Sequence, residues 1–146
     1  MAVSNPSIDR EYQALLQLVE KAGNICGYEV KPDRTCDQCP EGKSRLCLDS
    51  LMEIGHEVMV RMLEHFHHEE ALMESLPDNP TKRTHCAGHR HEHVNFSTRY
   101  NLAIAQIDAS HPVIGLRSLN TFILDWIRGH VLEYDAKLTT LLKSHS

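Results

Sequence analysis

A basic surplus is the first thing this chain lacks. Its 15 Lys+Arg stand against 20 Asp+Glu, a formal net charge of −5, and that argues against nucleic acid as a partner, because affinity for a phosphate backbone rests on basic surface. Long apolar runs are missing too. Nothing approaches the roughly 20 residues needed to span a bilayer, and the start, Met1 to Arg10, is polar, so the sequence predicts a cytoplasmic protein without membrane contact. No strict alternation of apolar and polar residues announces strands. An HExxH pair, the helical signature of a zinc hydrolase and its general base, is absent. What is left is 146 residues, enough for a single domain, 1–146, with a sizeable core.

The apolar period is helical throughout. Ile8, Leu15, Leu16, Leu18 and Val19 predict a first helix that Ser7 caps and that Gly23 or Gly27 stops. A Cys/Pro/Gly-rich connection follows. The second helix is predicted near Arg45 to Leu76 and ends at Pro77-Asp78-Asn79-Pro80, since proline removes a donor and biases its predecessor away from helix. A third is predicted from about Lys82 to Asp108, with Ser110-His111-Pro112 as the break, and a fourth from about Val113 to Lys143. Four such helices with short connections predict an all-α, up-down-up-down four-helix bundle, whose interior is a usual place for metal sites. Met52, Met59, Met62 and Met73 are expected to fill core gaps, and Trp126 to anchor packing one turn before His130.

Eleven histidines supply the chemistry. Residues four apart on a helix project from nearly the same side, so His65 with Glu69, and His89 with His93, can each grip a metal. His130 and Asp135, five apart, are expected to diverge more, which suits an imidazole on one metal and a carboxylate reaching a second. Imidazole plus carboxylate favours iron, zinc or manganese. His85, His89 and His93 form one stripe, so spacing alone permits a shift of one turn. His67, His68 and His91 are expected outside the ligand set, and His56 near the opposite face. Metal-bound imidazoles need a partner on the other ring nitrogen, for which Glu64, Glu70 and Glu92 are candidates. A ferritin-like centre requires Glu-x-x-His on two different helices, whereas Glu53-x-x-His56 and Glu64-x-x-His67 share one predicted helix.

Three of these runs, in order, carry a resemblance. His65-Phe-His-His-Glu69-Glu-Ala-Leu-Met73 fits HFxxEExxM, His89-Arg-His-Glu-His93-Val-Asn-Phe96 fits HxxxHxxF, and Trp126-Ile-Arg-Gly-His130-Val-Leu-Glu-Tyr-Asp135 fits WxxxHxxxxD. Together with Ile8-Asp9 they make nearly the whole chain resemble the hemerythrin family, and Phe96 selects His89/His93 over the shifted register. The resemblance implies two non-heme iron ions with an oxo or hydroxo bridge: one iron on His89, His93 and His130, the other on His65, with Glu69 and Asp135 shared. It also implies dioxygen, or a relative such as peroxide or nitric oxide, at the open position of the second iron. One residue departs from the pattern. Where the family reads Ile-Asp-x-x-His, this chain reads Ile8-Asp9-Arg10-Glu11-Tyr12. Either Tyr12 binds iron as phenolate, stabilising the ferric state and working against reversible carriage, or it is a core residue whose hydroxyl finds another partner.

The cysteines are a second constellation. Cys36-Asp-Gln-Cys39-Pro, with Cys26 upstream and Cys47 downstream, lies in a first connection (about 26–47) longer than the family's usual compact turn. Four thiolates can enclose a structural zinc; a redox-responsive pair and unpaired thiols are the other readings. Cys86 is expected to be a small buried residue, though it could meet the loop cysteines. Function is expected in one of two forms: a binding protein for storage, delivery or sensing of the small ligand, with a separate signalling partner in the last case, or an enzyme reducing peroxide or nitric oxide with an outside electron donor. A structural module stapled by its metal is a third class.

Overall fold

The computed structural model describes residues 5–25, 36, 39–40 and 42–145. Among them are α1 (Pro6–Gly23), α2 (Lys43–Glu74), α3 (Pro80–Ala105), α4 (Pro112–His130), a π-helical turn (Val131–Asp135) and α5 (Ala136–Ser144), which continues α4 through that turn. No strand occurs among the described residues. The fold is all-α, with four long helical segments packed on one another. No helix among the described residues is long and apolar enough to cross a membrane.

The helix starts follow capping chemistry. Asn5, not Ser7, caps α1: its side-chain oxygen accepts from the backbone N–H of Ser7 and Ile8 at 3.2 and 3.3 Å, with Pro6 at the first helical position. Proline there loses no hydrogen bond, because that N–H has no partner inside the helix in any case. Asn79 repeats the device on α3, accepting from Lys82 N–H at 2.9 Å with Pro80 next. Of the two prolines that follow α2, Pro80 therefore begins α3. Lys82 ties the corner, its ammonium donating to the carbonyls of Leu76 and Glu74 at 2.8 and 3.3 Å, where a cation meets the negative end of α2.

Each helix buries one stripe. On α2 it runs Leu51, Ile54, Val58, Met62, His65/Phe66, Glu69 and Met73, a repeat of three and four. Met52 and Leu63 fall off that stripe and stand about four-tenths exposed, so the expectation that Met52 fills the core is corrected; Met62 and Met73 do. Burial of each large apolar side chain contributes about 1.5–3 kcal/mol. The buried side chains form two clusters. The larger gathers Ile8, Tyr12 and Leu15 of α1, Leu51 to Phe66 of α2, Phe96 and Tyr100 of α3, and Leu116 to Ile127 of α4. The smaller joins Met73, Leu76, Cys86 and Leu138. On α2, on α3 and on the α4–α5 segment, His65 and Glu69, His89 and His93, and His130 and Asp135 fall where the two clusters meet. A buried polar layer is thereby interposed in the core.

Candidate metal centre

The layer is held by stripe positions that would otherwise be apolar. Glu69, His89 and Asp135 are fully buried, and His65, His93 and His130 nearly so. Burying this many ionisable groups costs several kcal/mol per charge unless each is paired or coordinates a cation.

Two donor groups emerge. Glu69, His89, His93 and His130 bring one ligand atom each within 4.8 Å of one another, and His65, Glu69 and Asp135 do the same. Both groups can hold a metal ion. Around one Glu69 oxygen, Oε2, the Nε2 atoms of His93, His89 and His130 lie at 3.0, 3.3 and 3.7 Å. Asp135 Oδ1 lies 2.9 Å from His130 Nε2 and 3.2 Å from His89 Nε2. The Nε2 atoms of His89 and His130 face each other at 3.0 Å. On the other side His65 Nε2 approaches Glu69 Oε1 at 3.1 Å.

Several of these close approaches lack hydrogen-bond geometry. His65 Nε2, Glu69 Oε1 and Asp135 Oδ1 are buried with no hydrogen-bond partner, although each has a donor or acceptor nearby. Native interiors rarely leave such atoms unpaired. Lone pairs aimed at a common point rather than at one another are what a cation requires, so the donor set fits a metal.

Of the ring nitrogens pointing outward, those of His65, His93 and His89 are held, whereas His130 Nδ1 is buried with no hydrogen-bond partner among the described residues. His65 Nδ1 meets Glu11 Oε2 at 2.5 Å, His93 Nδ1 meets Glu70 Oε1 at 3.0 Å, and His89 Nδ1 meets His85 Nε2 at 3.1 Å. A proton held on Nδ1 leaves the Nε2 lone pair directed inward. Of the three glutamates proposed from sequence, Glu70 serves; Glu64 instead stands near Arg61 on the surface. Glu11 and His85 were not anticipated in this role. Glu11 also takes His68 Nδ1 at 2.7 Å, so one carboxylate spans two imidazoles. Stacking fixes two rings further: Phe66 lies on His93 at 3.9 Å, and Trp126 on His130 at 4.3 Å. Trp126 is thus a packing anchor directly against a donor.

The five-residue spacing of His130 and Asp135 does not make them diverge. The intervening turn is π-helical, with Ala136 N–H donating to Val131 O five residues back, and it returns the chain to the same face one residue later than an α-helix does. Both side chains consequently enter the same layer. Tyr12 joins from α1, fully buried, its hydroxyl donating to Asp135 Oδ2 and its ring 4.5 Å from that of His65. The structure therefore places all seven sequence-proposed residues together. A surface pocket lined by Arg10, Glu11, Arg61 and His65 reaches the His65 side from outside.

Electrostatics match the geometry. Burial alone would raise the Glu69 carboxyl, yet the imidazoles of His130, His65, His89 and His93 hold it well below the ordinary range. Burial alone would lower His65 and His130, but Glu11, Glu69 and Asp135 lift His65 to about 10, and Asp135 and Glu69 lift His130 to about 9. Burial raises the Tyr12 hydroxyl well above its usual value, helped by Glu69 and Asp135. Burial, with His89 beside it, lowers His85 to about 4, so His85 is neutral at physiological pH and accepts from His89. The layer as a whole favours positive charge.

A pH dependence follows for the metal-free chain. Histidines whose folded pKa exceeds the unfolded value near 6.5 stabilise the fold fully below that value, and lose their contribution as pH rises through about 9 and 10 for His130 and His65. Metal-free protein should melt at a lower temperature at pH 10 than at pH 7. The loaded protein, whose imidazoles bind only when neutral, should instead weaken toward acid. Equal melting temperatures of the metal-free chain at pH 7 and 10 would contradict the assignment of charge.

Cys36, Cys39 and Cys47 line one cavity together, while Cys26 lies outside the described residues. Cys86 is buried in the smaller cluster with Met73, Leu76 and Leu138, as a small core residue. No family model, characterised protein or solved structure matches this chain, and its functional reading rests on these residues.

Proposed function

We propose that this chain is a hemerythrin-like non-heme di-iron protein, an up-down-up-down bundle with a Cys-rich first connection, which binds dioxygen or a relative such as peroxide or nitric oxide for storage, delivery or sensing. The observation that carries the reading is that Glu69 belongs to both donor groups, as a carboxylate shared by two ions would. His89, His93 and His130 would hold one iron, and His65 the other, with Glu69 and Asp135 common to both. Imidazole and carboxylate together suit iron. Two irons so held would supply a redox pair with an open position for a small ligand.

The chain's own residues do the rest. Glu11, Glu70 and His85 orient imidazoles by accepting their Nδ1 protons. Phe66, Phe96 and Trp126, packed edge-on and stacked around the His93/His130 side, keep that side of the layer apolar. Tyr12 holds a proton at its hydroxyl oxygen beside Asp135, on the His65 side.

That tyrosine supports a second reading, an enzyme that reduces peroxide or nitric oxide with an outside electron donor, because a hydroxyl at this place is either a proton source or, when deprotonated, an anionic iron ligand. Adding azide to the oxidised iron-loaded protein tests the shared premise of an open position. A saturable change in the visible spectrum is expected. An iron-loaded spectrum indifferent to azide, nitric oxide and peroxide would leave only a metal that staples the helices.

A further inference from the structure

The cysteine cavity lies away from the histidine layer. Cys47 sits in the second turn of α2, eighteen residues before His65 on the same helix, or about 27 Å along the axis. Cys36, Cys39, Cys47 and Ser44 border the cavity, and its remaining walls are apolar: Ile25, Leu51 and residues at the start of α4. Its volume is about 20 Å³, room for one water-sized occupant and too little for an organic ligand. Cys36 and Cys39 are brought to one side by a turn in which Cys39 N–H donates to Cys36 O at 3.0 Å, and both carry free thiols.

We propose that Cys36, Cys39 and Cys47 form a second metal site, a thiolate site that takes a single zinc ion. Three observations converge on it. Thiols from two separate chain segments line one small cavity. Apart from Ser44, the walls between the thiols are apolar. The first turn of α2 borders the cavity with no side-chain cap among the described residues, so the positive end of the helix dipole favours thiolate there. Zinc binding releases the thiol protons to solvent, and three sulfurs leave one tetrahedral position for a further donor. Among the described residues the three sulfurs are not gathered within 4.8 Å as the histidine and carboxylate donors are. Binding would draw the Cys36–Cys39 turn toward α2 and fasten the connection between the first two helices. The ion staples the end of the bundle remote from the di-iron layer.

The test uses iron-loaded full-length protein, so that zinc does not enter the histidine layer. Added Zn2+ should be retained at one per chain after dialysis, and Co2+ in its place should give strong sulfur-to-metal charge-transfer absorption in the near ultraviolet. Cys39→Ser should lose both the zinc and that absorption while keeping the iron spectrum; Cys86→Ser should keep all three. Should Cys39→Ser fail to fold, thiol titration of the wild type serves instead, with Zn2+ expected to protect three of the five cysteines. Retention of zinc by Cys39→Ser, or five thiols equally reactive with and without Zn2+, overturns the proposal. So does a wild type that takes up no zinc and loses two thiols to a disulfide on mild oxidation.

Discussion

His93→Ala and His130→Ala should each lose iron and melt well below the wild type. Each removal takes an Nε2 donor from the layer and leaves Glu69 or Asp135 short of its counter-charge. Metal binds the folded state alone, so an ion present at a thousand times its Kd contributes about 4 kcal/mol of stability. For a chain of this size that corresponds to a fall in Tm on the order of 10 °C. The alanine also removes the partner on which Phe66 or Trp126 stacks, adding a packing loss. His91→Ala is the matching control, because His91 is exposed and belongs to neither donor group. It should keep its iron and its melting temperature. Full iron loading of both core variants would mean that the layer is not the metal site.

Tyr12 carries the second large effect. If its hydroxyl oxygen serves the His65-side iron as phenolate, the oxidised protein should show a broad visible charge-transfer band that Tyr12→Phe and Tyr12→His both abolish. The ferric pair of the wild type should also resist reduction more than that of either variant, since both remove the anionic donor; in Tyr12→His a neutral imidazole restores the charge that favours reversible dioxygen binding. Whichever role it plays, the hydroxyl is fully buried and partners Asp135 Oδ2, so Tyr12→Phe should cost about 1–3 kcal/mol for the acceptor left unpaired. Coincident spectra of the wild type and Tyr12→Phe would assign the hydroxyl to the hydrogen bond with Asp135. The enzyme reading would then rest on proton supply rather than on an anionic ligand.

Much of the site was legible because a helix turns spacing into direction. His65 and Glu69 lie on the same stripe as Leu51, Val58 and Met62, and His89 and His93 on the same stripe as Phe96 and Tyr100, so polar residues at core positions marked themselves. Asp135 was legible as a candidate donor five residues after His130, but was expected to diverge from it. Its direction depends on the π-helical turn, and nothing in Val131-Leu-Glu-Tyr-Asp135 announces hydrogen bonds to the fifth residue back. Glu11 escaped notice because it reaches His65 and His68 across the α1–α2 contact, and local spacing carries no trace of a partner on another helix. His85 was read as a rival in register to His89; one turn away on the same stripe, it instead accepts from that residue's Nδ1. The cap of α1 was misplaced by two residues because Ser7 and Asn5 are both good caps, and Pro6 decides between them by preferring the first helical position.

Iron content per chain tests the central claim most directly. Protein purified from iron-replete cells, analysed for elements against an accurate protein concentration, should contain about two irons per chain, since two donor groups share Glu69. Zinc as the only metal, or a single iron that two-fold excess cannot raise, would contradict a di-iron centre.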